Sequence, residues 1–370
     1  MPLASRKDLI DPFGASLVTN YERLYKEFGI ESFNSLLSKV PDPSLYMRRG
    51  IIFGHRDFGK ILNAMENHEE FAVLSGIKPT GEFHLGTLMT AKEIIYFQRH
   101  GAQTFYCIAD VEAYEDNNIP FEKSRKIAVD NLADMLALGL DKQKAHIYQQ
   151  SKETKVKDLA LIFGRPVTLA TMRAIYGERR IGLYLSALIQ AGDILLPQLE
   201  DFGGPKPTIV PVGIDQDPHL RFTRDLSQIF RQKFGFIPPS STYHKLMRGL
   251  DGSPKMSKRL KNCFTLHDKP ETIKERISKA FTGGRATIKE QRKLGGIPEA
   301  CPVYEVCLFH FVEDDSAMTE AYHDCRTGKL LCGEHKMQTI DLTLKFVRQH
   351  KERKKKLIEQ ARKILGLSSS

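Results

Sequence analysis

Three short stretches of this chain carry residue types and spacings suited to handling phosphate. In "KPTGEFHLGT", Pro79, Gly81, His84, Gly86 and Thr87 stand where the β-rich run "FAVLS" gives way to a helical pattern. Backbone N–H groups at such a strand-to-helix turn attract phosphate. A glycine there lets a flat base or a phosphate approach the backbone, and an imidazole donates to a phosphate oxygen. Neither G-x-G-x-x-G nor G-x-x-x-x-G-K can be read here, so this is not the common Gly-rich phosphate loop. In "DGSPKMSKRLKN", Lys255, Met256, Ser257 and Lys258 follow Gly252 and Pro254. Two flexible ammonium groups and a hydroxyl could clamp a polyphosphate leaving group as its charge develops. In "VPVGIDQDPHLRF", a β-run breaks at Gly213; Asp215 could hold a ribose hydroxyl and Gln216 a polar group of a second substrate. Asp217 and Pro218 equally suit the cap and first position of a helix. Taken singly, each stretch also fits a surface turn or a solvated loop.

The elements that must position these residues follow a parallel α/β pattern. Short β-rich runs ("FAVLS", "TFYCIAD", "AHIYQQ", "PTIVPVG") alternate with helical stretches from Phe71 onward, as a parallel sheet requires. In such sheets ligands bind at the carboxyl ends of the strands, beside helix N-termini. Leu85, Leu88, Met89, Ile95 and Tyr96 keep close to a 3.6-residue period, and "SRKIAVDNLADMLALGL" makes a second helix entered through Pro120. Beyond about residue 260 the strand signals fade and the pattern is helical. The expected architecture is a Rossmann-like doubly wound parallel sheet over residues 71–260. A mixed extension (1–70) precedes it and a helical domain (261–370) follows it.

Composition sets outer bounds. With 370 residues, 41% of them hydrophobic, the chain can bury a sizeable core and fits two or three domains of ~100–200 residues each. No apolar run approaches the ~18 residues of a membrane span, and the N-terminus has no signal-peptide core, so a cytoplasmic protein without membrane association is expected. Six cysteines are too few for a disulfide scaffold in a chain of this length. The net charge of +10 permits a polyanionic partner without naming one.

Taken together, P-x-G-x-x-H-x-G at Pro79–Gly86 and K-M-S-K-R at Lys255–Arg259 resemble the two signatures of class I aminoacyl-tRNA synthetases. The short separation between them is similar to that in the tryptophan and tyrosine enzymes, which lack a large inserted editing domain. "MRRGIIFGHRDF", "GIDQDPHLRFTRD" and "KAFTGGRATIKEQRKLGG" look like the archaeal and eukaryotic tryptophan branch, and the resemblance covers roughly residues 45 to 350. Thr87 is a departure, since the broader class often has a second histidine there.

The resemblance implies activation of L-tryptophan by ATP with Mg²⁺, transfer to tRNA(Trp), a homodimer, and an anticodon-binding role for the helical domain. It assigns His84, Lys255, Ser257 and Lys258 to catalysis. Pro79, Gly81, Gly86, Thr87, Gly213, Asp215 and Met256 join them around ATP. It places Glu112, Gln190 and Gln216 on the amino-acid ammonium and Asp193 on the polar group of the side chain. An indole carries one N–H donor, and leaving it unpaired when buried costs ~1–3 kcal/mol, so its pocket needs an acceptor. Asp193 and Gln190, three apart in "YLSALIQAGDILL", share one helix face. Tyrosine enzymes of this branch typically place a tyrosine where Leu74 stands, and the apolar residue suits indole better. Eukaryotic tryptophan enzymes use a tyrosine and a glutamine for the indole N–H; here Leu74 and Cys107 occupy those places, which makes Asp193 the acceptor. A tyrosine-specific enzyme and a non-catalytic, synthetase-like RNA-binding protein are the alternatives.

Two further features stay open at this level. The basic run Lys351–Lys356 would serve phosphate contact in an enzyme that holds tRNA. Cys301, Cys325, Cys332 and His335, spaced C-x23-C-x6-C-x2-H, could hold zinc as Cys₃His. Some relatives place a fourth cysteine at the position of His335 and bind an iron–sulfur cluster. No metal ligand is assigned among the site residues.

Overall fold

The computed structural model describes residues 25–26, 28–257 and 260–367. They fall into two compact units. One holds the described residues up to 81, those of 90–245 and those from 358 onward; the other holds 82–89 and the described residues of 246–357.

The first unit is built on a seven-stranded sheet in the order β1-β2-β7-β6-β3-β4-β5. Its strands are β1 (Glu31–Ser32), β2 (Ile52–Arg56), β3 (Ala72–Ile77), β4 (Gln103–Ile108), β5 (Ala145–Gln149), β6 (Thr208–Gly213) and β7 (Ser240–His244). β3 to β7 run parallel, while β1 and β2 add an antiparallel edge. The chain winds outward from β3 through β4 to β5, then returns to lay β6 on the other side of β3. That reversal makes the carboxyl ends of β3 and β6 a topological switch point, where open α/β sheets bind ligands. Helices Phe121–Leu138, Thr154–Gly164, Ile181–Leu195 and Asp217–Ile229 form part of the crossovers.

The four β-rich runs identified from the sequence become β3, β4, β5 and β6. Three strands escape the pattern, β1, β2 and β7, the first of them only two residues long. β2 lies inside the expected extension 1–70 and pairs with β7, so part of that segment belongs to the sheet. A strand buried on both faces reads as a short apolar run without alternation, as Ile51, Ile52 and Phe53 do. β7, "SSTYH", is buried throughout yet carries almost no apolar signal.

Asp217 also plays a part other than the expected cap. The helix starts at Asp217 and Gln216 holds the cap position. The fully buried Asp217 carboxylate accepts from Arg56 at 3.0 and 3.1 Å and from the Tyr243 hydroxyl at 2.5 Å. Arg56 in turn donates to the carbonyls of Phe28 and Gly29. This network ties the helix behind Gly213 to β2 and β7. Asp217→Ala would take the counter-charge from the largely buried Arg56 guanidinium, and breaking such a pair costs roughly 3–5 kcal/mol. Denaturant unfolding should register a loss of that size; one below about 1 kcal/mol would reject the anchoring role.

The second unit is largely helical, with Pro270–Ser278, Ile288–Leu294, Asp315–Arg326 and the long Cys332–Lys355 as its main helices. The last helix, Ile358–Ile364, belongs instead to the first unit, where the Leu365 carbonyl accepts from Lys152 Nζ at 3.2 Å. The helical domain expected over 261–370 therefore gives up its final helix. No described helix is long and apolar enough to cross a membrane.

Candidate active site

A cavity of about 240 Å³ opens at the switch point of the first unit. Its walls come from the end of β3 (Leu74 to Lys78), from Cys107 on β4, from β6 up to Gly213, and from helix Ile181–Leu195. Glu112, Gln190, Asp193 and Gln216, the four residues assigned to the amino acid, all line it. Leu74, Ile194, Val210 and Leu220 supply apolar wall. The arrangement suits a flat apolar body with polar groups at its ends.

Helix Ile181–Leu195 presents Gln190 and Asp193 one turn apart. It can lie close to helix Thr154–Gly164 because Gly192 has no side chain; a Cβ there would meet the Val156 carbonyl oxygen at 2.7 Å. Asp193 is 3% exposed. Its Oδ1 accepts from the Tyr148 hydroxyl at 2.8 Å and faces Cys107 Sγ at 3.6 Å. Its Oδ2 accepts from Gln150 Nε2 at 2.5 Å. Burial pushes the carboxyl up to about 8, against the downward pull of Gln150 and Tyr148. Oδ2, with one donor against two on Oδ1, keeps lone-pair capacity for a further donor.

The opposite wall carries charge. Glu112, raised by burial and held back by Lys78, lies 3.4 Å from Lys78 Nζ, which also pairs with Asp116. Gln190 Nε2 donates to Gln216 Oε1 at 3.4 Å. Two carboxyl groups thus share one local ammonium, a balance that favours a cationic group arriving in the cavity. Tyr148, Gln150 and Lys78 were not foreseen from the sequence. Tyr148 and Gln150 carry no motif, and only their place on and just past β5 brings them to Asp193.

The phosphate candidates divide between the two units. In the first, Gly213 lines the cavity and Asp215 lies in the turn just beyond it. Pro79 is buried, and the Gly81 carbonyl accepts from Asn131 Nδ2 at 3.1 Å. In the second, the Gly86 N–H donates to His84 Nδ1 at 3.0 Å, so the neutral ring carries its proton on Nε2. A Cβ on Gly86 would come 2.9 Å from His84 Cε1, which explains the small residue there. Thr87 follows in the first turn of helix Leu85–Arg99.

The lysine loop belongs to the same unit as His84. Asn262 knits it together: Nδ2 donates to Asp251 (3.2 Å), Ser253 Oγ (2.7 Å) and the Lys255 carbonyl (3.1 Å), and Oδ1 accepts from the Ser257 N–H at 2.8 Å. Met256 is buried and donates its N–H to Met247 O. Just beyond the loop, Leu266 N–H bonds the Phe83 carbonyl and Thr265 Oγ1 donates to Glu82. Lys258 lies outside the described residues.

In that unit, Cys301, Cys325, Cys332 and His335 line one small cavity of about 10 Å³. Burial holds His335 down at about 4 and Cys325 up at about 11. No three of these residues bring donor atoms within 4.8 Å of one another. The basic run is less free than its sequence suggests. Lys351 donates to the carbonyls of His267 and Asp268, and the buried Lys354 meets His267 Nε2 at 2.6 Å. Arg353, Lys355 and Lys356 stay exposed.

Residues 65–348 match the sequence profile of the family described as tRNA synthetases class I (W and Y). The chain is 44% identical over 360 residues to the tryptophan–tRNA ligase of Hyperthermus butylicus, with 95% of each chain covered. It is 41% identical over 362 residues to that of Methanocaldococcus jannaschii, covering 96% of this chain and 98% of the other. Among solved structures, the tryptophanyl-tRNA synthetase of Aeropyrum pernix K1 superposes with a TM-score of 0.90 at 44% identity, over 96% of this chain and 98% of that one.

Proposed function

The chain belongs to the tRNA synthetases class I (W and Y), and from that premise we propose that it is a tryptophan–tRNA ligase. In the first step the carboxylate of L-tryptophan attacks the α-phosphorus of ATP, the bond to the β-phosphate oxygen breaks, and pyrophosphate leaves. In the second, a terminal ribose hydroxyl of tRNA(Trp) attacks the tryptophanyl carbonyl and AMP leaves. Neither step needs a protein nucleophile, so positioning and charge stabilisation carry the rate.

The observation that carries this reading is the convergence of Glu112, Gln190, Asp193 and Gln216 on one cavity roofed by apolar side chains. Glu112, Gln190 and Gln216 receive the ammonium, and Asp193 accepts the indole N–H. Leu74, where a tyrosine pocket would want a partner for the phenol, leaves room for indole. His84 Nε2 donates to a phosphate oxygen, Gly86 leaves room for close approach, Thr87 offers a helix N-terminal N–H, and Asp215 holds the ribose. Lys255, Ser257 and Lys258 stabilise the departing pyrophosphate. Magnesium bound with ATP would add positive charge at the transferring group. The exposed Arg353, Lys355 and Lys356 suit tRNA phosphates. The anticodon role of the helical unit, the homodimer and the cytoplasmic location follow from the family.

ATP–pyrophosphate exchange with each amino acid tests the reading. Exchange should require tryptophan and stay at background with tyrosine. Exchange driven by tyrosine, or by neither, would overturn it in favour of one of the two alternatives.

A further inference from the structure

Gln150 lies behind the cavity rather than in its wall. It follows the last residue of β5, is fully buried, and continues the ladder by donating its N–H to the Ile108 carbonyl. Its carboxamide touches both carboxylates that face the cavity. Nε2 donates to Glu112 Oε1 at 3.0 Å and to Asp193 Oδ2 at 2.5 Å, while Oε1 accepts from the Glu112 N–H at 3.3 Å. The two donors and the oxygen of the amide are all engaged. A flipped amide would set its oxygen against two carboxylates and its NH₂ against an N–H, so the network fixes its orientation.

Glu112 sits on helix Asp110–Asn117 and Asp193 on helix Ile181–Leu195, so Gln150 joins two elements that carry opposite ends of the site. We propose that Gln150 is a positioning residue that couples the carboxylate of the ammonium end to that of the indole end, and that it sets tryptophan specificity by aiming Asp193. The inference rests on the tryptophan reading above. With Oδ2 held by Gln150 and Oδ1 by Tyr148 and Cys107, the Asp193 carboxyl is fixed in one orientation, and the lone pair left on Oδ2 is the acceptor it offers. Such a preorganised acceptor discriminates against a side chain of the same shape that lacks the donor, because binding that side chain leaves a buried acceptor unpaired. Glu112, tied to the same amide, keeps the Lys78 ammonium, whereas Asp193 keeps its partners on Oδ1 but loses the donor on Oδ2. Loss of Gln150 should therefore fall harder on Asp193.

The test compares L-tryptophan with 3-benzothienyl-L-alanine, whose sulfur replaces the indole N–H, in ATP–pyrophosphate exchange. Gln150→Met keeps the length and removes the polar atoms. It should lower kcat/KM for tryptophan by about 10–100-fold, mostly through KM, the effect of losing one hydrogen bond to a charged group. The analogue should lose less than about threefold and the KM for ATP should hold, so the preference for tryptophan collapses. Gln150→Asn, too short to span both carboxylates, should show the same collapse and serves if the methionine variant fails to fold. An equal loss on both substrates, or no loss, would reject the positioning role and leave the enzyme's function standing. A wild-type protein that does not activate tryptophan would remove both.

Discussion

Asp193→Ala should reduce tryptophan-dependent exchange by about 10²–10⁴-fold in kcat/KM while the protein still folds. On the proposed reading the substitution removes the indole acceptor, and it takes a partner from the Tyr148 hydroxyl and from one Gln150 N–H, each such loss costing ~1–3 kcal/mol in a buried site. A pocket built to bond a substrate N–H depends on that bond far more than on any single methylene of apolar contact. Folding should survive because the same change also relieves the desolvation that burial imposes on the carboxyl. A loss of less than about fivefold would mean that the indole N–H is read elsewhere.

The same residue gives the site a pH signature. Burial holds the folded carboxyl at about 8, against an ordinary value of 3.8. Between those two values the folded protein keeps a proton that the unfolded chain has released. Stability of the empty protein therefore falls as pH rises through that window and levels off above it. An ammonium arriving beside Glu112 and Gln216 favours the ionised form of Asp193, so tryptophan binding near neutral pH should expel a proton. Calorimetric titration in buffers of different ionisation enthalpy should detect that release in the wild type and miss it in Asp193→Ala.

What the sequence disclosed and what it withheld divide along physical lines. The β-runs after Phe71 alternate with helices strongly enough to give the parallel sheet, and Gly213 marks the end of β6. The resemblance singled out Glu112, Gln190, Asp193 and Gln216, which line one cavity, and helix spacing alone put Gln190 and Asp193 on one face. Tyr148 and Gln150 were not, because a tyrosine and a glutamine near a strand end signal nothing until the sheet brings β5 beside β4. β7 stayed hidden because its polar residues are buried by their place between β2 and β6 and not by their own hydrophobicity. The grouping of His84 with the lysine loop was equally invisible. It depends on the backbone bond between Leu266 and Phe83 and on the contact between Thr265 and Glu82, residues far apart in the chain.

That grouping shapes the second large expectation. Lys255→Ala should lower the rate of adenylate formation by about 10²–10³-fold, the usual loss for one donor aimed at transition-state charge. The KM for ATP should change by only a few fold, because an ammonium that engages mainly as pyrophosphate departs contributes little to ground-state binding. The loop should keep its shape in the variant. Asn262 grips the Lys255 carbonyl, the Ser257 N–H, Ser253 and Asp251, and Met256 bonds Met247 through its backbone; none of these contacts uses the Lys255 side chain. The change therefore removes a charge from a standing loop instead of dissolving the loop, and the kinetic loss can be assigned to that charge. Rapid-quench measurement of tryptophanyl-adenylate in a single turnover separates the two cases. A normal adenylate rate, or a loss confined to the KM for ATP, would take the lysine out of the chemical step.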